Sequence, residues 1–339
     1  MNPEAHKFKT VGFWAPRSFG YWLCRPRLWR AVFHRPLAVR FVEQDQWPYE
    51  NPSIVRWTYD PSVHGKRLCI EFANRHIADL WRFRWRILAN ALWKIIDACP
   101  NITFHEEPVD VSDCVDSHVP KEVFRFAKKL EDPHDLLPNP YLLQPDRASY
   151  KSIAWHRKAD SIFFRGAATG PAVYEANPRV AACLAARHIK GGDCKLVWYN
   201  DTEGAFKIQA IKDGIAASPT KPRAMEVHRY LLDVDGHTSS WDRFRRIGVC
   251  GGVPIRFESC WQEYWHDRIT EGTHYVAATR ENIGAVIAEL RDSPDRAYDI
   301  AGQASDFVRC ALSVDKAEES LQRIWLKRIR GVPAADMHK

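Results

Sequence analysis

An α/β fold of two Rossmann-like units facing a central cleft is the architecture this sequence predicts, on three observations. Short apolar runs alternate with helical segments along most of the chain, the pattern of parallel sheets covered by helices. The 339 residues suit two domains at roughly 100–200 residues each. A loop rich in Pro, Asp and Asn at 132–147 interrupts the alternation. It sets an expected division into 1–150 and 151–330, with 331–339 as a tail.

The elements follow from local pattern. Residues 1–65 read as irregular, with Pro and Trp throughout. RLCIEF (67–72) reads as a strand. From His76 to Ala98, Ile77, Leu80, Trp81, Leu88, Leu92 and Ile95 recur at helical spacing, and Pro100-Asn101 ends that helix. NITFHE (101–106) and VFRFAKK (123–129) read as strands. SIFFRG (161–166) is a strand leading through a Gly-containing turn to a helix at about 178–188, opened by Asn177-Pro178-Arg179. KLVWYN (195–200) and HRYLLDVDG (228–236) follow, then a polar turn and a helix through Arg246. VPIRFE (253–258), a helical WQEYWHDRI (261–269), HYVAA (274–278) and helices at 281–291 and 296–312 complete the series.

Composition narrows the class. With 45% hydrophobic and 27% charged residues, the chain is neither disordered nor fibrous. Its net charge of +7 is uneven: residues 1–100 carry 16 Lys+Arg against 8 Asp+Glu, and also 8 of the 14 tryptophans. That asymmetry points to an anionic or membrane-surface partner at one end. The nine cysteines are scattered without CxxC or Cys/His ligand spacing, so free thiols in a reducing cytoplasm are expected and no metal cluster. No run of about 18 apolar residues is present, and MNPEAHKFKTVGFWAPRS lacks the apolar core of a secretory signal.

GxGxxG, GxxxxGK[ST], HExxH and GxSxG are all missing. Two segments carry chemical content instead. In Phe163-Phe164-Arg165-Gly166-Ala167-Ala168-Thr169-Gly170, an apolar strand delivers Arg165 and Gly166 to its C-terminal end, where α/β proteins bind ligands. Gly166 and Gly170 let the backbone approach an anion, and Arg179 stands at the following helix start. Two arginines around one Gly-rich turn suit a diphosphate; the plainer alternative is an ordinary turn with solvated arginines. In the second segment, HRYLLDVDGHTSSWDRFRR, a buried strand ends in Asp233, Asp235 and Gly236. Ser239 or Ser240 would cap the next helix. Asp233-Val234-Asp235 superficially matches a metal-holding Asp-x-Asp, and equally an ordinary hydrogen-bonded strand end.

Together these segments resemble glycosyltransferase family 90, the capsule-associated or lipopolysaccharide-modifying transferases related to protein O-glucosyltransferases. The similarity runs from about Asn101 to Trp325. It rests on FFRGAATG with Arg179, on YLLDVDGHTSSWDRFRR followed by CGGVPIRF, on Trp261-Gln262-Glu263-Tyr264 before His274-Tyr275-Val276, and on VFRFAKKLEDPHDLLPNPYLL.

The resemblance implies a GT-B-like fold and an inverting, metal-independent transfer from a nucleotide-sugar, usually UDP-linked, with no cofactor. It carries over Arg165, Gly166, Ala167, Thr169, Gly170 and Arg179 as donor-binding positions, Ala167 standing where the family usually has serine. Asp235, Gly236, Ser239 and Ser240 join them. Arg243 matches the arginine expected at the leaving diphosphate, although this chain has one extra residue in Trp241-Asp242. The expected base is an Asp ending an N-terminal strand: Asp113 first, Asp110 second, with Asp116 a third candidate. The family's Arg-Asp-Tyr-Pro-like context is not reproduced there. His274 reads as a structural histidine.

Acceptors of such enzymes meet the N-terminal half, which gives the uneven charge a use. Arg25, Arg27, Arg30, Arg35 and Arg40 interleave with Trp22, Leu23, Trp29, Phe33 and Leu37, and Arg82, Arg84 and Arg86 with Trp81, Phe83 and Trp85. Such stretches suit an anionic membrane face, at about 1 kcal/mol per cation, or a phosphorylated lipid-linked saccharide. The blander account is arginine stems lying over a tryptophan-rich core. The expectation is a cytoplasmic enzyme, peripheral at the inner membrane face, glycosylating a lipopolysaccharide, capsule or other glycan precursor, with no nucleic-acid partner. Competing readings are a metal-dependent GT-A transferase using Asp233 and Asp235, an RNA-binding protein, and a catalytically dead carbohydrate-binding relative.

Overall fold

The computed structural model describes residues 37–42, 46–64, 67–113, 119–146, 150–199 and 204–330. The basic-aromatic stretch up to Arg35, the third candidate Asp116 and the tail at 331–339 lie outside them. Two five-stranded sheets carry the chain, and the expected α/β class holds.

The first sheet contains β1 (Leu37–Phe41), β2 (Ile54–Tyr59), β3 (Leu68–Phe72), β4 (Val109–Ser112) and β5 (Phe124–Arg125), in the order β1-β3-β2-β4-β5. It is mixed: β1/β3 and β4/β5 are parallel, while β2 runs antiparallel to both its neighbours. The link between β2 and β3 explains this departure from an all-parallel unit. It holds only one helical turn, α1 (Pro61–His64), too short for the crossover a parallel pair needs. Across one face runs a ladder of alternating charge, with Arg40 opposite Glu71, Glu71 opposite Arg56 and Arg56 opposite Asp110. Opposite charges facing across strands fix register. The other face buries Trp57 and Ile70 against Trp85 and Leu88 of α2 (Arg75–Ala98).

Two sequence expectations fail here. Residues 1–65 include the strands β1 and β2, and NITFHE is not a strand. Ile102 and Phe104 are buried as loop residues, Phe104 beside Tyr59 and Trp325, and the strand begins at Val109. VFRFAKK splits into β5 and β6 (Lys128–Lys129).

The second sheet is wholly parallel: β7 (Ala159–Ala167), β8 (Asp193–Trp198), β9 (His228–Asp233), β10 (Val253–Phe257) and β12 (Val276–Ala278). Its order is β12-β10-β9-β7-β8. Strand periodicity sends Ile162 and Phe164 to one face and Phe163 to the other. The first face packs on α3 (Pro178–Ala186), α4 (Ala205–Lys212) and α6 (Ile283–Asp292); the second receives Ile247 and Cys250 of α5 (Arg243–Cys250). WQEYWHDRI is not the helix expected. Trp261–Gln262 forms β11, antiparallel to β6, and His266–Arg268 a short 3-10 turn. Beyond α7 (Pro294–Ala311), α8 (Val314–Arg330) returns to the first sheet. There Trp325 stacks on Phe124 at 6.4 Å, and Glu318 pairs with Lys94 of α2.

Of the tryptophans in the first hundred residues, Trp47, Trp57, Trp85 and Trp93 are buried core side chains. Among the described residues, no helix is long and apolar enough to cross a membrane.

Candidate active site

In a doubly wound sheet the crevice opens where successive connections leave in opposite directions, beyond the C-terminal ends of the strands. Here that point lies between β7 and β9, since β8 is added on one side of β7 and β9, β10 and β12 on the other. The residues that end those two strands line the crevice.

Two arginines define it. Asn177, fully buried, caps α3 as its sequence predicts: its Oδ1 accepts from the amides of Arg179 and Val180, and its Nδ2 donates to the Pro171 carbonyl at 3.1 Å. That cap fixes Arg179 beside the strand ends. Its guanidinium donates to the carbonyls of Ala167 at 2.8 Å and Asp235 at 2.9 Å, stapling β7 to the segment after β9. Arg243, the first residue of α5, donates to the Arg165 carbonyl at 2.9 Å and lies 4.5 Å over the Phe164 ring. Arg179 stands 6.0 Å from the same ring. Neither forms an ion pair among the described residues. Burial first, then the Arg243 charge, hold Arg179 down at about 9, still charged at neutral pH. Burial likewise lowers Arg243, against the pull of Asp233. Two partly buried, mutually repelling cations whose hydrogen-bond partners are carbonyls stabilise an anion placed between them.

The glycines shape the approach. Gly170 has φ +128, and a Cβ there would meet the Gly236 carbonyl at 3.2 Å. A Cβ on Gly236 would come to 2.5 Å from the Thr169 hydroxyl and 3.0 Å from Arg179 Nη2. Gly166 lies in β7 as expected, Ala167, expected in the turn, extends the strand, and the two pair with Leu196 and Trp198 across a bulge; the Ala168 amide is bonded to the Trp198 carbonyl at 2.6 Å. Arg165 points elsewhere. It lies on the Phe163 face and bonds Asp193 of β8 by side chain, at 2.6 Å, and by carbonyl.

Asp233 ends β9 buried, 3.7 Å from Arg256. Burial raises Asp235 to about 7, opposed by a hydrogen bond from Ser259 and reinforced by Asp233. Neither Ser239 nor Ser240 caps α5. Asp242 occupies that position without a side-chain cap, because Trp241 turns the chain at φ +63. Glu263 accepts from Asn139 and Trp265, and burial raises it to about 8 with Ser239, Asn139 and Trp265 opposing. His274 accepts from the Thr270 amide at 3.0 Å and packs on Phe307.

The candidate bases separate by environment. Asp110 is committed: Arg56 grips it at 3.0 Å through two nitrogens, and the Tyr49 hydroxyl donates to it. Asp113 lies just past the end of β4 and pairs with Arg84 of α2. Burial raises its carboxyl to about 6, with Arg84 opposing. Arg84 in turn stacks 4.2 Å over Trp241, two residues before Arg243. Trp241 is further held by Tyr141, edge-on at 5.5 Å, and by the Thr238 hydroxyl at 3.0 Å. A left-handed tryptophan costs roughly 1–2 kcal/mol, and these contacts hold it there. One chain of contacts thus joins Asp113, beside the first sheet, to the segment that ends in Arg243 beside the second.

The family model for glycosyl transferase family 90 matches residues 144–322, which contain every residue of the crevice. The chain belongs to that family. Among solved structures, Anabaena HepE in complex with UDP-glucose matches 48% of this chain and 48% of its own, at 11% identity and a TM-score of 0.36. The C-terminal domain of a glycosyl transferase group 1 family protein, LpcC of Francisella tularensis, matches 50% of this chain and 99% of its own, at 9% identity and a TM-score of 0.36. Sucrose-phosphate synthase of Thermosynechococcus elongatus matches 54% of this chain and 50% of its own, at 10% identity and a TM-score of 0.37. This chain spans about half the length of HepE. No curated protein matches it significantly.

The family 90 match begins at residue 144, so Asp113 and Arg84 stand outside it. Sequence reasoning named Arg84 only as part of a basic-aromatic run and Trp241 only as an extra residue. The insertion was the one signal for Trp241; for Arg84 nothing local marks its partner 29 residues on.

Proposed function

We propose that this family 90 chain is an inverting glycosyltransferase that moves a sugar from a UDP-sugar to a hydroxyl of a glycan. The observation that carries the reading is the pair of partly buried guanidiniums, Arg179 and Arg243, which donate to carbonyls and form no ion pair among the described residues at the β7/β9 crevice. The UDP-linked donor is the class that the resemblance to family 90 implies.

In the proposed step the acceptor oxygen bonds to the sugar's anomeric carbon as the bond to the β-phosphate oxygen breaks, and UDP leaves with that electron pair. Asp113 takes the acceptor proton and later returns it to solvent. Arg179 and Arg243 hold the charge growing on the diphosphate. A base with a pKa near the working pH is effective, and Asp113, raised to about 6, is mostly ionised at neutrality. Arg84 orients it. The reading assigns charge stabilisation to arginines, with neither metal nor cofactor. Activity in excess chelator is therefore expected, and loss restored by manganese would move that role to Asp233 and Asp235.

For the acceptor we propose a lipopolysaccharide, capsule or related glycan precursor at the cytoplasmic face of the membrane, supported by the basic-aromatic run from Tyr21 to Arg40. Binding to anionic but not neutral vesicles is expected; absence of binding at low salt overturns the membrane part. For the donor, a nucleotide-sugar panel read by thermal shift is decisive, because selective ligands stabilise by mass action. Stabilisation by UDP-sugars over other nucleotide-sugars is expected, and no stabilisation by any overturns the reading.

A further inference from the structure

A second cavity of about 710 Å³ opens where α8, the β5–β6 segment and residues 262–267 meet. Its cations are concentrated: Arg323, Lys327 and Arg328 from α8 and Lys128 from β6 line it, and none forms an ion pair among the described residues. Arg323 and Lys327 stand four apart on the helix, where like charges repel. Such a cluster attracts an anion.

Two further observations point to a ligand with more than charge. His134 is 4% exposed and lines the cavity, with Nε2 engaged by the Val119 carbonyl and Nδ1 left without a partner. Tyr264, also lining it, has a buried hydroxyl with no partner. Buried polar atoms are normally satisfied, so unpartnered ones at a cavity wall mark where a ligand's polar groups belong. Tyr264 supplies ring surface beside them. Of the acids present, Glu263 is held largely protonated by burial, leaving Asp135 and Asp267 against four cations. Cations for anionic groups, lone hydrogen-bonding atoms for hydroxyls and a ring face for a sugar describe one ligand chemistry.

We propose that this cavity binds an acidic saccharide, a sugar bearing phosphate or carboxylate groups, at a site separate from the Arg179–Arg243 crevice. Such binding does not depend on transfer chemistry.

The test is calorimetric titration of the whole protein, saturated with UDP so that the crevice arginines are occupied. Glucose 6-phosphate, glucuronate, glucose and inorganic phosphate are compared. Glucose 6-phosphate and glucuronate are expected to bind at least tenfold more tightly than glucose or inorganic phosphate, and to weaken with salt. In Arg323→Glu/Lys327→Glu both affinities should fall tenfold or more, with UDP binding and Tm unchanged, because both side chains are exposed. Tyr264→Phe should weaken glucose 6-phosphate several-fold and leave inorganic phosphate unaffected. Equal binding of glucose 6-phosphate and inorganic phosphate, or affinities untouched by the double reversal, overturns the proposal. Should UDP itself fail to bind, the donor reading falls, and the same titrations on the protein alone still decide this one.

Discussion

The first sheet and the crevice at the edge of the second handle charge in opposite ways. In the first sheet every cross-strand cation meets an acid: Arg40 faces Glu71, which faces Arg56, which faces Asp110. At the crevice of the second, Arg179 and Arg243 donate to carbonyls and form no ion pair among the described residues, although within the strands Arg165 pairs with Asp193 and Arg256 with Asp233. A neutralised ladder holds register and stabilises the fold. An unneutralised pair raises the energy of the empty site, and that energy is recovered when an anion arrives. The difference separates acids and bases that build the protein from those that work in it, and it places Asp110 in the first group and Asp113 beside the second.

The largest expected effect tests that division. Asp113→Asn should lower UDP release from a UDP-sugar at least 10³-fold, within the range for a general base, while UDP affinity is unchanged. Near-wild-type turnover would return the base to another acid. Arg56→Ala should do the converse. It strips a partner from buried Asp110 and should cost about 3 kcal/mol in urea unfolding, with kcat of the remaining folded protein preserved. Loss of kcat without loss of stability would make the ladder part of the site. Gly236→Ala should weaken UDP binding about tenfold by pushing Arg179 and Thr169 aside, with Tm lowered only slightly.

The smallest effect is on pH. Because burial raises Asp113 to about 6, its protonated form takes over below that value and the base is lost. kcat/KM should halve near pH 6, fall tenfold per unit below it, and be level just above. A profile flat down to pH 4 would remove Asp113 from the chemistry.

The second sheet was legible in the sequence because its strands are short apolar runs, with a helix start signalled locally by Asn177-Pro178. The first was not. β1 and β2 carry Arg40 and Arg56 in mid-strand, and what makes them strands are acids on other strands, which no local pattern contains. WQEYWHDRI has apolar residues at helical spacing, yet Glu263 within it is buried and held by Asn139, 124 positions earlier. At the site, Arg179, Arg243 and Gly236 stand at the crevice their sequence positions suggested. Arg165 does not, since strand periodicity turns it to the Phe163 face and Asp193. The choice between Asp110 and Asp113 depends on which carboxylate Arg56 occupies, which is a tertiary fact.

The most direct measurement of the central claim is UDP affinity, by calorimetry, of the wild-type chain against Arg243→Ala. Losing one charge-assisted contact of about 1.5–3 kcal/mol predicts clear UDP binding by the wild type and an affinity about 10- to 150-fold weaker in the variant, with Asp113→Asn binding as wild type. Equal affinity in wild type and Arg243→Ala, or no binding by either, would contradict it.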